Sequence, residues 1–387
     1  MAPHGLILSL MCVFINPLYM LVIGSTIELY KKLPNYFNYV LAFSFAIAIS
    51  NREIGVHWSS GNGIGIDDAT NYLDWYYETA TSSYIFGLGD LFTNLFSGME
   101  PLWFILAELV GKLFLYNEQA LIFFSTLIPI IIFHYSFRKI TKYFCFCALV
   151  FYFLVPEIFH TLFHLYRNSI GLSIIVLCFA MVLSNDYIKT RLIYLAPLGH
   201  LSMILPASAL FFRRFLFFNL SFINKIIYSL ALSLFFFLGL YAMIYLASFL
   251  GLEKISFYLT QEGEVFQTST RHLIYFVLSI YLISITNNKN VYLIALSTLL
   301  VLFLPFTLNG ISIVFERILI LFTPLLALGL AYESRNDNFK KIGIILLLGI
   351  NFSLLAYKVH DQLFYQYMAE GKFFNFFSGI IHNIYTF

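Results

Sequence analysis

Arg52, Arg167, Arg271, Arg317 and His200 stand at the edges of, or inside, long apolar stretches of this 387-residue chain. An ionisable group in such a place marks a function by default, the plainer alternative being a pair with a neighbouring carboxylate or a lipid headgroup. The planar guanidinium fork matches phosphate oxygens, and several forks meeting in one cavity suit a pyrophosphate. Glu316 is not the automatic partner of Arg317, because adjacent helical residues point about 100° apart. His200 lies in the run GHLSMILP. It is either a general base, since imidazole titrates near neutrality, or a hydrogen-bonded core histidine. His160, His164 and Arg167 fall at i, i+4 and i+7, one face of a helix if that helix runs unbroken through HTLFHLYR. A polar cavity lining, headgroup-level packing and a metal pair are the readings of that face. A metalloprotease helix would need Glu after the first histidine, where Thr161 stands. Asp67 and Asp68 offer a base, a metal ligand or a cap for a helix starting near Ala69.

These groups have to be positioned by an apolar frame. The chain is 60% hydrophobic and 11% charged, with a mean hydropathy of +0.84, and apolar runs of about 20 residues match the length a helix needs to cross a bilayer. The composition predicts an all-α, polytopic integral membrane protein of about 10–12 transmembrane or re-entrant helices, a single transmembrane domain over residues 1–387. Candidate helices lie near 5–24, 36–50, 101–116, 118–137, 143–160, 166–184, 192–212, 223–250, 272–286, 291–308, 311–332 and 340–357. The one long polar interruption is the loop at about 51–100. It carries Asp67, Asp68, Asp74, Glu78, Asp90 and Glu100 against the single Arg52, with Tyr72, Tyr76 and Tyr77 interleaved.

Cytoplasmic loops hold the excess of Lys and Arg. Lys31 and Lys32 therefore place residues 25–35 inside and the acidic loop outside. The basic cluster Arg138, Lys139 and Lys142 also belongs inside, so 101–116, which is short and carries Glu108 and Lys112, is expected as an amphipathic or re-entrant helix on the outer face. Basic residues flank 192–212 on both sides, and Pro197, Gly199 and Pro206 interrupt it. It is expected to be broken, with His200 at the break. The four arginines then lie at outer ends of helices.

Several classes are excluded or unsupported. Cys12, Cys145, Cys147 and Cys178 sit in apolar runs without metal-ligand spacing and are expected as small core residues. The N-terminus lacks a basic n-region and a cleavage site, so it is expected as a retained span. SSGNGIG lacks the GK[ST] of a phosphate loop, and nothing supports nucleic-acid recognition.

Taken in order, G-I-D-D-x2-N-Y (65–72), E-P-L-W-F-I-L (100–106), Y-R-N-S-I-G (166–171), G-H-L-S-M-I-L-P (199–206) and E-R-I-L (316–319) resemble the EpsG-like branch of the Wzy-type polysaccharide polymerases, which includes O-antigen polymerases. The resemblance covers roughly residues 50–325. Asn168 stands where Gln is expected after the Arg, and Gly171 where Ala is usual. Membership would imply a GT-C-like glycosyltransferase of the bacterial inner membrane, multi-pass, with its active site facing the periplasm. It would join oligosaccharide repeat units carried on undecaprenyl pyrophosphate, both as donor and as acceptor, with no cofactor and no metal. Arg167 and Arg317, with Arg52 and Arg271, would then bind the pyrophosphate. His200, Asp67 and Asp68 would be the catalytic candidates, and Tyr72, Trp75, Tyr76, Glu100 and His164 would contact the glycan. Membrane lipid and a chain-length regulator protein are the expected partners. The same features leave room for an O-antigen ligase, an acyltransferase, or a lipid-linked glycan flippase or transporter.

Overall fold

The computed structural model describes residues 3–28, 30–50, 58–60, 63–65, 72–77, 101–154, 165–186, 188–212, 220–249, 270–303 and 312–334, with isolated positions at 158, 161, 162, 377, 380 and 381. The described chain is helical except for one small antiparallel hairpin, Trp58–Ser60 against Gly63–Gly65. It divides into two compact units where the sequence reads as one transmembrane domain: Met1–Met203 with Ser334–Phe387, and Ile204–Glu333.

The first unit contains α1 (Pro3–Met11), α2 (Pro17–Glu28), α3 (Asn35–Ser50), α4 (Pro101–Phe114), α5 (Glu118–Ile140), α6 (Phe144–Leu154), α7 (Tyr166–Leu183) and the one-turn α8 (Ala196–Gly199). Helix α5 is its axis, packing on α3 and α7, while α2 lies along α6. Close approach is bought with small residues: a Cβ added to Gly24 on α2 would sit 2.7 Å from Cys145 Sγ on α6. All four cysteines are free and buried, in keeping with their place as small core residues. At 23 and 18 residues, α5 and α7 are long and apolar enough to cross a bilayer. Helices α2, α3 and stretches of the second unit are apolar but shorter.

At 14 residues, α4 is only about 21 Å long, short of the hydrocarbon thickness. Trp103, Phe104, Ala107 and Val110 are buried, whereas Ile105, Leu109 and Leu113 are exposed. Helix α4 is thus apolar on two faces, with Glu108 and Lys112 paired at 2.8 Å.

Helix ends inside an apolar body need partners for their free backbone groups, and here other helices supply them. Glu28, the last residue of α2 and buried, accepts the N–H groups of Cys145 and Phe146 at 2.9 and 3.2 Å, in the first turn of α6. A carboxylate is unfavourable at its own C-terminus and favourable at the N-terminus it caps. Nearby, Arg138 donates to Asn35 Oδ1 (2.7 Å) and to the Pro34 carbonyl (2.9 Å), with its guanidinium 4.2 Å from the Phe144 ring centre.

The second unit holds α9 (Ile204–Phe212), α10 (Phe222–Phe249), α11 (Thr270–Ile285), α12 (Lys289–Leu302) and α13 (Ser312–Ser334). Lys225 Nζ caps the end of α11 through the Thr286 carbonyl at 3.1 Å, and Thr286 Oγ1 donates to Glu333 at 2.6 Å. Ser229 and Tyr292 join α10 to α12 at 2.9 Å.

Glu28→Ala leaves two buried N–H groups unpaired, which costs on the order of 1–3 kcal/mol. The detergent-purified variant should melt at a lower temperature. Glu28→Gln keeps an acceptor oxygen and should recover more than half of the loss. Unchanged melting of Glu28→Ala would remove Glu28 from the role of cap.

Candidate functional site

Arg167 is the second residue of α7. That is the wrong end for a cation in isolation, since the helix macrodipole is positive there, and the right end for a bound anion. Its guanidinium is held from the side: Nε donates to the Tyr72 hydroxyl at 3.2 Å, and Cζ lies 4.9 Å from the centre of the Tyr72 ring. The hydrogen bond through Nε and the ring contact fix one edge of the guanidinium on Tyr72.

Tyr72 itself comes from a helical segment over 72–77. Tyr72, Leu73 and Tyr76 face inward, while Asp74 and Tyr77 are exposed, the i, i+1, i+4 stripe of a helix laid on a core. Tyr72 packs against Trp103 (5.0 Å between ring centres) and Tyr166 (5.8 Å), and Trp75 against Phe104 (4.1 Å) and Trp103 (5.6 Å). Trp103 is anchored in turn by its Nε1–H on Ser125 Oγ at 3.3 Å. Tyr76 is fully buried, with its hydroxyl 3.4 Å from the Asn117 carbonyl. Burial pushes its phenol up to about 12, so it is a neutral donor. The faces of Tyr72 and Tyr76 expected to meet sugar are therefore occupied by protein rings. Tyr77, not among the expected contacts, is the tyrosine of the segment that faces out.

His200 lies where the chain breaks. Residues Ile188–Leu195 form a 3-10 helix, α8 follows, His200 is extended (φ −162°, ψ 132°), and a 3-10 turn covers Leu201–Met203 before α9 begins. The break expected between Pro197 and Pro206 is present, with His200 at it. The Ser202 N–H donates to His200 Nδ1 at 3.2 Å, and Ser202 Oγ lies 2.6 Å from the same atom. A nitrogen that accepts a backbone N–H carries a lone pair, so this network assigns the proton of the neutral ring to Nε2. With that placement of the proton Nε2 is a donor, and a base role at Nε2 would call for the other tautomer.

Two glycines bring these parts together. A Cβ on Gly199 would stand 2.7 Å from Gly171 N and 2.8 Å from Gly171 Cα; a Cβ on Gly171 would meet Met203 Cγ at 2.7 Å, Ala196 O at 3.0 Å and His200 N at 3.2 Å. Backbone lies on backbone here. Gly171 is one turn after Arg167 on the same face, so the arginine and the histidine break are about 6 Å apart along the helix axis. The Gly171 that departs from the resembled motif is the residue that permits this approach.

One expectation is corrected. Helix α7 starts at Tyr166, and Leu165 before it is non-helical (φ −113°, ψ 60°). Leu165 interrupts the continuity through HTLFHLYR on which a shared i, i+4, i+7 face with Arg167 depended. Both histidines, and Arg52, Asp67, Asp68 and Glu100, lie outside the described residues. Arg271 is the second residue of α11, and Arg317 lies in the second turn of α13; the side chains of both are outside what is described. Like Arg167 they are placed near helix N-termini, where an anion rather than a cation is favoured.

A sequence model of the EpsG family matches residues 55–369, more than three-quarters of the chain. No curated protein matches, and no solved structure does.

Gly199→Ala places a methyl group against backbone that cannot yield and should cost roughly 1–3 kcal/mol. Gly171→Ala meets the flexible Met203 first and should cost less, with Met203→Ala relieving part of it. Thermal melting of the purified variants checks the order, which the contacts above would not survive reversed.

Proposed function

The chain belongs to the EpsG family, and we propose that it is a surface-polysaccharide polymerase, an O-antigen-type enzyme working on undecaprenyl-pyrophosphate-linked repeat units at the periplasmic face of the inner membrane. Membership supports a role in surface-polysaccharide biosynthesis and a glycosyltransferase-like polymerase, and the apolar helices support a membrane protein. The observation that carries the finer reading is Arg167: a guanidinium on the first turn of a helix, held by Tyr72 and packed one turn from His200.

In this reading the growing glycan on its lipid pyrophosphate is the donor. The acceptor is a hydroxyl of a second lipid-linked unit. That hydroxyl oxygen attacks the anomeric carbon, a new C–O bond forms, and the C–O bond to pyrophosphate breaks. The electron pair leaves on the undecaprenyl pyrophosphate. Arg167 and the N-terminal amides of α7 meet the charge that develops there, preorganised as the transition state requires. His200 donates from Nε2 to a phosphate oxygen, which leaves Asp67 or Asp68 to take the proton of the acceptor hydroxyl. Arg52, Arg271 and Arg317 remain candidates for the same anion.

A surface-glycan gel from cells lacking the gene and complemented with variants tests this. Wild type should restore the long ladder, and Arg167→Ala should leave core plus a single repeat unit. Arg167→Lys should restore only part, because the ammonium keeps the charge and loses the fork. Tyr72→Phe removes one hydrogen bond to a charged group, about 1.5–3 kcal/mol, and should shorten the ladder more than its melting temperature accounts for. Loss of every repeat unit in the deletion would indicate a ligase or flippase. An unchanged ladder would end the glycan assignment.

A further inference from the structure

A cavity of about 410 Å³ lies at the N-terminal end of α5, within the roughly 300–1,000 Å³ range of small-molecule sites. Its polar walls are Tyr77, Tyr116, Asn117, Glu118, Gln119 and Ser50, the last residue of α3. Among the described residues, no lysine or arginine lines it.

The turn from α4 into α5 builds the site. Leu115 and Tyr116 both take left-handed backbone, at φ 53° and 57°, which is uncommon for bulky residues and gathers at functional sites. Tyr116 N–H returns to the Gly111 carbonyl at 2.8 Å, and a Cβ on Gly111 would meet the Tyr116 ring at 2.5 Å. The ring is thereby seated over Gly111 and against Tyr76, 5.1 Å between centres. Asn117 caps α5, its Oδ1 accepting the Ala120 N–H at 2.9 Å. Across the cavity, the Tyr77 hydroxyl donates to Glu118 Oε2 at 2.7 Å. That bond, ahead of partial burial, pushes the Tyr77 phenol up to about 12, so it stays a donor at neutral pH. The carboxylate keeps lone-pair positions for further donors, since it has about four in all.

Phenols, amides and a carboxylate make a poor phosphate site, because the carboxylate repels the anion. They do supply what a saccharide needs: acceptors for its hydroxyl hydrogens, donors to its oxygens, and an aromatic face for its C–H side. Tyr77 provides that face, being 45% exposed where Tyr72 and Tyr76 are covered. Tyr77 also follows Tyr72 by five residues, roughly 7–8 Å along a helix axis and about 140° around it, so the two mark different faces as well as different ends of the segment. The anion and sugar functions are thus divided between the two ends of one short segment.

We propose that this cavity is a saccharide subsite, seating a neutral or amino sugar of the repeat unit next to the pyrophosphate at Arg167, with Tyr77 and Glu118 as its specificity-determining side chains. The identity of the saccharide rests on the polymerase reading; its binding here does not.

The test uses the full-length protein in detergent and two probes: repeat-unit oligosaccharide released by mild acid from the surface polysaccharide of the cells that carry the protein, and farnesyl pyrophosphate. Wild type should bind both in calorimetry or saturation-transfer NMR. Tyr77→Ala and Glu118→Gln should weaken the oligosaccharide at least about tenfold and leave farnesyl pyrophosphate unchanged, which also reports that the variants are folded. Tyr77→Phe, keeping the ring and losing the hydroxyl, should fall between. Arg167→Lys should show the reverse pattern. Wild type that binds no oligosaccharide, or Tyr77→Ala that binds it as wild type does, would overturn the subsite. Saccharide binding that depends on Tyr77 and Glu118 in a protein that makes no polymer in cells would uphold the subsite and overturn the polymerase reading instead.

Discussion

At Gly171 and Gly199 two stretches of main chain meet with no side chain between them, and the placement of the candidate chemistry follows from that contact. It seats the His200 break against α7 one turn from Arg167. A single methyl group on Gly199 would stand within 2.8 Å of backbone atoms that have no rotamer to change. The extended conformation of His200 and its bond with Ser202 follow directly on that contact in the chain.

The same economy governs helix ends. Where the surroundings are apolar, a free N–H or carbonyl must find a protein partner, and in each unit a residue distant in sequence provides it. Glu28 serves the start of α6 across 117 residues, and Lys225 serves the end of α11 across 61. Charged side chains that a hydropathy reading would assign to loops act here as structural terminators of neighbouring helices. Arg138, tied to Asn35 and Pro34, is a third case. Its basic character marks the inner side in a topological argument, while its hydrogen bonds close the space between α3 and α5.

Much of the frame was legible in the sequence because its signals are local. Pro197, Gly199 and Pro206 announce the break at His200, and the i, i+4 spacing of Glu108 and Lys112 announces their ion pair on α4. The inward stripe of Tyr72, Leu73 and Tyr76 was also there to be found, but tyrosines in an acidic loop read as interface residues unless their helical spacing is weighed. Other features leave no local trace. Nothing in HTLFHLYR marks Leu165 as non-helical, with neither Gly nor Pro nearby, so the spacing of His160, His164 and Arg167 by itself does not define a shared face. The pairing of Gly171 with Gly199, and the cavity formed by Tyr77 with Glu118, are tertiary facts joining residues 28 and 41 positions apart.

Tyr72 has two duties in one ring: it fills the core between Trp103 and Tyr166, and it holds Arg167. Tyr77, five residues on, faces outward, in ring contact with Tyr76 and bonded through its hydroxyl to Glu118. The two tyrosines are therefore not equivalent. A change at Tyr72 disturbs the aromatic packing and the Arg167 bond in one stroke, at the root of the segment. A change at Tyr77 acts at its outer rim, where one hydroxyl ties the segment to the start of α5.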